Sequence, residues 1–172
     1  MHLKRYILAW MLAVFGLAGH EASAACARAL IPFSVCDIVG RDTSLYVCHD
    51  DFTATYWYGT HGKTPELHLS EPIATVDYRP WDGEALVGTI TFYNGNYAYE
   101  VVSGFNSEFS EEGLSHFGWI TVLFDGQPLT RLECVPEKVD GVYGSDIYGL
   151  KVAAGLQWYG AERGWLPASE PN

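Results

Sequence analysis

From Ser44 onward apolar and polar positions alternate, and β-branched and aromatic side chains dominate, the pattern of strands buried on one face. Eight segments carry it: 44–49, 53–59, 65–70, 72–78, 86–93, 96–103, 118–124 and 128–134. Asn94-Gly95 separates GTITFY from NYAYEVV, and Asp125-Gly126 separates WITVLF from the strand ending LTRLEC; both dipeptides accept the positive φ angles of tight hairpins. Gly59-Thr60-His61-Gly62 marks a looser hairpin. Glu71-Pro72 marks a break, because proline cannot donate to a strand ladder. Alternation groups Ile90 with Phe92, Tyr97 with Tyr99 and Val101, and Ile120 with Val122 and Phe124, on faces that should line one core.

Short strands joined by sequential hairpins, with no crossover helices between them, predict a mainly β fold: a single antiparallel barrel or sandwich of about eight strands. A short C-terminal helix is expected over 146–158, where DIYGLKVAAGLQW spaces Ile147, Leu150, Val152, Ala154 and Leu156 along a broad apolar stripe that Gly149 and Gly155 weaken. Residues 160–172 contain glycine and proline without a period and read as a loose tail. The chain thus divides into a lead segment, 25–43, a β domain, 44–135, and an extension, 136–172.

The N-terminus changes where this fold is expected to work. Lys4 and Arg5 precede the 13 uncharged residues Tyr6 to Ala18, and Ala22-Ser23-Ala24 follows, which predicts a cleavable secretory signal over 1–24. The run is shorter than the ~20 residues a membrane-spanning helix needs, and Gly19-His20-Glu21 ends it. A lipoprotein reading, with Cys26 acylated in Ser23-Ala24-Ala25-Cys26, is disfavoured by serine where a lipobox has leucine. A periplasmic or secreted location is expected, and the lack of an Asn-x-Ser/Thr sequon fits a bacterial periplasm.

Cleavage after Ala24 would leave 148 of the 172 residues, enough for one domain. Taking the two basic and one acidic residue of the signal from the chain's 10 and 21 leaves 8 against 20, a formal net charge of −12. No Lys/Arg cluster offers itself to phosphates, so neither nucleic acid nor an anionic lipid surface is an expected partner. Acidity gives solubility and suits a basic protein partner.

Cys26, Cys36, Cys48 and Cys134 form an even set that reads as two disulfides in an oxidising compartment. Four cysteines allow three connectivities; the preferred one pairs Cys26 with Cys36 locally and Cys48 with Cys134 between the first and last strands of a closed barrel. No Cys-x-x-Cys spacing suggests a metal site.

His49-Asp50-Asp51 offers metal-ligand or acid/base groups, or simply a solvated turn. His61 and His68 would complete a zinc or copper site with His49 if the three met, but their spacing matches no recognised ligand set. There is no Gly-x-Ser-x-Gly elbow, no phosphate-binding glycine loop and no cofactor motif, and Glu111-Glu112 reads as a solvated face. No catalytic residue is assigned, and a non-enzymatic protein is expected. Two features suit binding. Trp81, in Tyr78-Arg79-Pro80-Trp81-Asp82-Gly83, is a partner anchor or a ring packed over a barrel end. The stretch 104–117 (GFNSEFSEEGLSHF), expected to be irregular, sets Glu108, Glu111 and Glu112 beside Phe105, Phe109 and Phe117, a composition suited to gripping a basic protein or merely a tolerated insertion.

Leu45-Tyr46-Val47-Cys48-x-Asp50 in the first strand, and a final strand Leu129 to Cys134 preceded by Asp125-Gly126, resemble bacterial periplasmic and membrane-bound inhibitors of C-type lysozyme. The resemblance covers 44–135. It implies an eight-stranded antiparallel barrel whose loop residues enter the lysozyme cleft. The family's Ser-Gly-x-x-Tyr pattern is absent: Ser103-Gly104-Phe105-Asn106-Ser107 ends in serine. A counterpart of the family's lysine-bearing loop is also missing, so no inhibitory residue carries over. The expected function is that of an exported, disulfide-bonded binding protein that inhibits lysozyme or another basic cell-wall hydrolase. The alternatives are a structural or envelope-maintenance protein of the periplasm, and metal binding through His49, His61 and His68.

Overall fold

The computed structural model describes residues 26, 29–80, 86–110, 113–141 and 145–169. The expected signal segment, Trp81, Glu111 and Glu112 lie outside them, as do the side chains of Glu108 and Phe109. Two antiparallel sheets run as meanders. One contains β1 (Ile31–Asp37), β2 (Ser44–His49), β3 (Thr53–Gly59) and β4 (Leu67–Pro72) in that order. The other contains β5 (Asp77–Arg79), β6 (Leu86–Asn94), β7 (Tyr97–Ser110), β8 (Gly113–Phe124) and β9 (Gln127–Glu133). The mainly β, antiparallel architecture is as expected; the sheets do not close on each other, so the molecule is a sandwich.

The inner faces follow from the alternation. Phe33, Leu45, Val47, Ala54 and Tyr56 of the first sheet meet Ile90, Phe92, Val101 and Ile120 of the second in one core, with the Tyr56 ring 5.6 Å from Phe92 and 5.4 Å from Tyr99. Tyr97 and Phe124 continue the same face past the edge of the core and are exposed, their rings tilted against each other at 5.0 Å. Both tight hairpins form: Asp125 and Gly126 take φ 48° and 76° as expected, whereas the first turn is centred on Gly95-Asn96, one residue beyond Asn94-Gly95, with Asn94 paired to Tyr97 and Gly95 at φ 60°. Asp125 and Gly126 both positive is the mirror-image turn whose twist matches paired strands.

Several boundaries moved. The segment expected as a strand over 72–78 is largely a buried turn: Thr75 and Val76 donate to Pro72 O, and Ile73 and Val76 sit in the core, so apolar residues there serve a turn and only Asp77–Arg79 is strand. The expected strand 65–70 lies at Leu67–Pro72. The lead segment 25–43 contributes β1, paired along β2 from Ile31↔His49 to Asp37↔Ser44. The outer edge of β1 is bridged by the chain leaving β9, through Val35↔Asp140 and Ile38↔Cys134.

That placement corrects the cysteine pairing: the disulfides are Cys26–Cys48 and Cys36–Cys134. β1 carries Cys36 inward, where Gly118 of β8 leaves room: a Cβ there would lie 3.2 Å from Cys134 Sγ and 3.6 Å from Ser34 Oγ. Cys26, preceding β1, reaches Cys48 near the β2 end that pairs with Pro32. Small residues Gly88, Ser103 and Gly118 occupy one row across β6, β7 and β8, and that row seats Phe33 and the Cys36–Cys134 bridge.

Ser34 Oγ lies in this seam, fully buried and with no hydrogen-bond partner among the described residues. An unpaired buried hydroxyl costs about 1–3 kcal/mol of desolvation. Ser34→Ala should therefore leave stability unchanged or raise it by about 1 kcal/mol, read from urea unfolding; a loss of similar size would mean that the hydroxyl is paired.

The C-terminal extension packs against the same core. The helix α1 spans Ser145–Ala153, shorter than the expected 146–158, because Gly155 turns to φ 83° and ends it. Ile147 is buried and Leu150 packs on the core, whereas Val152 is 47 % exposed; the inward stripe is completed by Lys151 and not by Val152. The last residues of the expected helix and the expected loose tail together form a further hairpin, β10 (Leu156–Trp158) with β11 (Trp165–Pro167). Among the described residues no helix is long and apolar enough to cross a membrane.

Candidate functional site

The stretch 104–117, expected to be irregular, is instead the distal part of the β7–β8 hairpin, paired through Phe105↔His116 and Asn106↔Ser115 and resuming at Ser110↔Gly113 after an irregularity. β6 reaches only Leu86↔Phe105 on one side, and β9 only Trp119↔Glu133 on the other. Residues 106–110 and 113–115 therefore form a two-stranded ribbon without a third strand among the described residues. Its strand character was hidden because GFNSEFSEEGLSHF does not alternate apolar with polar residues along its length.

Phe105, at the root of the ribbon, is buried, with its ring 6.2 Å from His116. It is core rather than contact surface. Phe117 stacks on Trp119 at 5.7 Å, and the Arg131 guanidinium lies 3.8 Å over the Trp119 ring while donating to Glu133. These rings line the outer face of β8, opposite Ile120. From Arg79 to Arg131 the sequence holds no lysine or arginine, while it holds Asp82, Glu84, Glu100, Glu108, Glu111, Glu112 and Asp125. The ribbon thus lies in the middle of an uninterrupted acidic stretch of chain.

The three histidines are not gathered. His49 is buried at the end of β2 with Nδ1 on Asp50 O, His61 shares a 3.0 Å hydrogen bond with the Tyr46 hydroxyl, and His68 is exposed on β4. Among the described residues no group of three His, Cys, Asp or Glu side chains could hold a metal. Asp50 Oδ1 accepts from the Phe52 and Thr53 N–H groups, both at 2.8 Å, which holds its carboxyl below the ordinary range and fixes the turn between β2 and β3.

Two hollows were not legible as sites in the sequence. The larger, about 740 Å³, lies beside β1 and β2, where Asp37 accepts from Lys138 Nζ and Ser44 Oγ, both at 2.7 Å. Those bonds, the Lys138 one foremost, hold the Asp37 carboxyl low, and the same contact holds the Lys138 amine high. The group is a closed ionic network, each charge answered.

The smaller hollow, about 430 Å³, lies between β5, α1 and the β10–β11 hairpin. Trp165 anchors it: its Nε1 donates to Tyr78 O at 2.6 Å, and its ring meets Tyr78, Tyr148 and Trp158 at 6.3, 5.2 and 5.6 Å. Lys151 is 2 % exposed, donates to Ala74 O at 3.3 Å and sits 5.4 Å over the Trp165 ring. Burial pushes its amine down to about 8, against a weaker upward pull from Asp77. The signal that marked this region was the aromatic density of Trp158, Tyr159 and Trp165 around Gly160 and Gly164, which argues for a packed hairpin and against a loose tail. Comparison of the chain with protein-family models, with curated proteins and with solved structures finds no match.

Proposed function

We propose that this chain is an exported binding protein whose β7–β8 ribbon engages a basic extracytoplasmic protein, a lysozyme or another basic cell-wall hydrolase being the partner that the sequence resemblance suggests. One observation carries the reading: among the described residues, the ribbon runs on beyond the strands that flank it in the sheet. A two-stranded ribbon by itself is at best marginally stable in water. Its use is as a projecting element, and projecting elements on rigid sandwiches serve recognition. Glu108, Glu111 and Glu112 in and beside it, with no basic residue between Arg79 and Arg131, favour a cationic partner through both encounter rate and register. The two disulfides accord with an oxidising, extracytoplasmic location.

The oxidised protein should slow a C-type lysozyme at micromolar concentration, with inhibition falling as salt rises from about 0.05 to about 0.5 M, where the screening length becomes shorter than the ribbon. The triple variant Glu108→Lys, Glu111→Lys, Glu112→Lys should inhibit about tenfold less or worse. Absence of both inhibition and a complex at low salt would reject the hydrolase reading. Recovery of an envelope component in place of any hydrolase would replace it with an envelope-maintenance role.

A further inference from the structure

The hollow beside β5 is separate from the ribbon and has a chemistry of its own. Asp77, Arg79, Lys151, Leu156, Trp158 and Trp165 are among its lining residues. We infer that it is a binding site for a carboxylated saccharide, a hexuronate-type unit whose carboxylate meets Lys151, whose hydroxyls meet Asp77 and whose apolar ring face lies against Trp158.

The ammonium of Lys151 is under-partnered among the described residues. It has three donors, and its hydrogen bond among the described residues goes to one carbonyl, Ala74 O at 3.3 Å. No carboxylate among the described residues comes within ion-pair distance of it. A cation this buried is costly unless its remaining donors are met, and the Trp165 ring answers only part of its charge. Its lowered affinity for a proton is the mark of that incomplete compensation. An incoming carboxylate would supply two acceptors and the missing charge.

The other walls narrow the ligand. Asp77 accepts from the Tyr93 hydroxyl at 2.8 Å and keeps acceptor capacity for a second hydroxyl. Arg79 is already paired with Glu100 and is not the anion's partner. Trp165 is enclosed by Tyr78, Tyr148 and Trp158 and has spent its N–H on Tyr78 O, so it is a fixed wall. Trp158 is half-buried and, among the described residues, has a ring contact only with Trp165, tilted at 52°. It is the ring available to a ligand. A phosphate dianion would be repelled by Asp77, a neutral sugar would leave Lys151 uncompensated, and a bare carboxylate would use neither Asp77 nor Trp158. A volume of about 430 Å³ is within the range of small-molecule sites and accommodates a sugar ring.

The test is a titration of the intact, oxidised chain with glucuronate, glucose and acetate, followed by tryptophan fluorescence and calorimetry. Glucuronate should bind saturably and about tenfold or more tighter than either glucose or acetate, and Lys151→Met and Trp158→Ala should each weaken it by about tenfold or more. Trp158 is half-buried, so Trp158→Ala decides the question even if Lys151→Met does not fold, as circular dichroism would report. Glucose binding as tightly as glucuronate would overturn the Lys151 contact. Acetate doing so would overturn the saccharide, and the absence of saturable glucuronate binding would overturn the site.

Discussion

Removing the Cys36–Cys134 bridge should cost about 4–5 kcal/mol of unfolding free energy, and removing Cys26–Cys48 distinctly less, about 3 kcal/mol. The two bridges close loops of very different length, with sequence separations of 98 and 22. On the chain-entropy account a longer closed loop withdraws more freedom from the unfolded chain. The native surroundings add to the difference. Cys36 and Cys134 are 2 % and 4 % exposed and fill the space over Gly118, so the alanine pair would also leave a small void between the sheets. A domain of this size has about 5–15 kcal/mol in total, and the Cys36→Ala, Cys134→Ala double variant is therefore expected to be close to unfolding at room temperature. Urea titration of the two double variants reads the ordering directly. Equal losses, or a larger loss for Cys26 and Cys48, would argue for another connectivity, which peptide mapping without reduction would then identify.

That connectivity shows where sequence reasoning stopped. β2 and β3 have the boundaries expected of them because β2 is a short, wholly buried β-rich run, β3 alternates, and Asp50 fixes the turn between them with two backbone hydrogen bonds. β1 escaped because its pairing with β2 slips between Pro32 and Ser34, which buries Phe33 and Ser34 in succession and erases the period of two. Once β1 is missing, a local Cys26–Cys36 loop looks natural. With β1 in place, Cys36 points into the sandwich and only Cys134 can meet it.

The candidate sites were legible in composition more than in geometry. The acidic and aromatic content of 104–117 was visible, but its extended pairing follows from β7 and β8 running on beyond β6 and β9 among the described residues. Phe105, offered as a contact residue, proved to be buried. Lys151 was the least accessible to pattern reasoning: a lysine on the inward stripe of a short helix contradicts amphipathic spacing, and its role emerges only when Ala74, Asp77 and Trp165, distant in sequence, are brought beside it. Local rules are expected to fail at functional or strained sites.

Gly141→Ala is expected to cost about 3 kcal/mol or more, at the upper end of what overpacking does to a core. The cause is contact and not backbone freedom, since Gly141 is not among the glycines with positive φ. A Cβ at this position would lie 2.4 Å from Phe33 O and 2.9 Å from Phe33 C, and both are backbone atoms that no side-chain rotation can withdraw. Nor can β1 move away as a unit. The Phe33 ring is fully buried, lies edge-on to Tyr78 at 6.4 Å and sits against Gly88, while Val35 and Asp140 exchange hydrogen bonds at 2.7 and 2.8 Å immediately beside the clash. Relief must come from breaking that exchange or from lifting Phe33 out of its seat, and either opens the seam in which Cys36 and Cys134 are joined. Gly149→Ala is the matched control: it lies inside α1 with no heavy atom within 4 Å of the added carbon, and the greater helix propensity of alanine should raise stability by up to about 1 kcal/mol. The pair separates a general tolerance of glycine replacement from the specific contact. If Gly141→Ala unfolds at the same urea concentration as the wild type, the segment leaving β9 does not lie against β1, and the joining of the two sheets through Val35 and Asp140 is wrong.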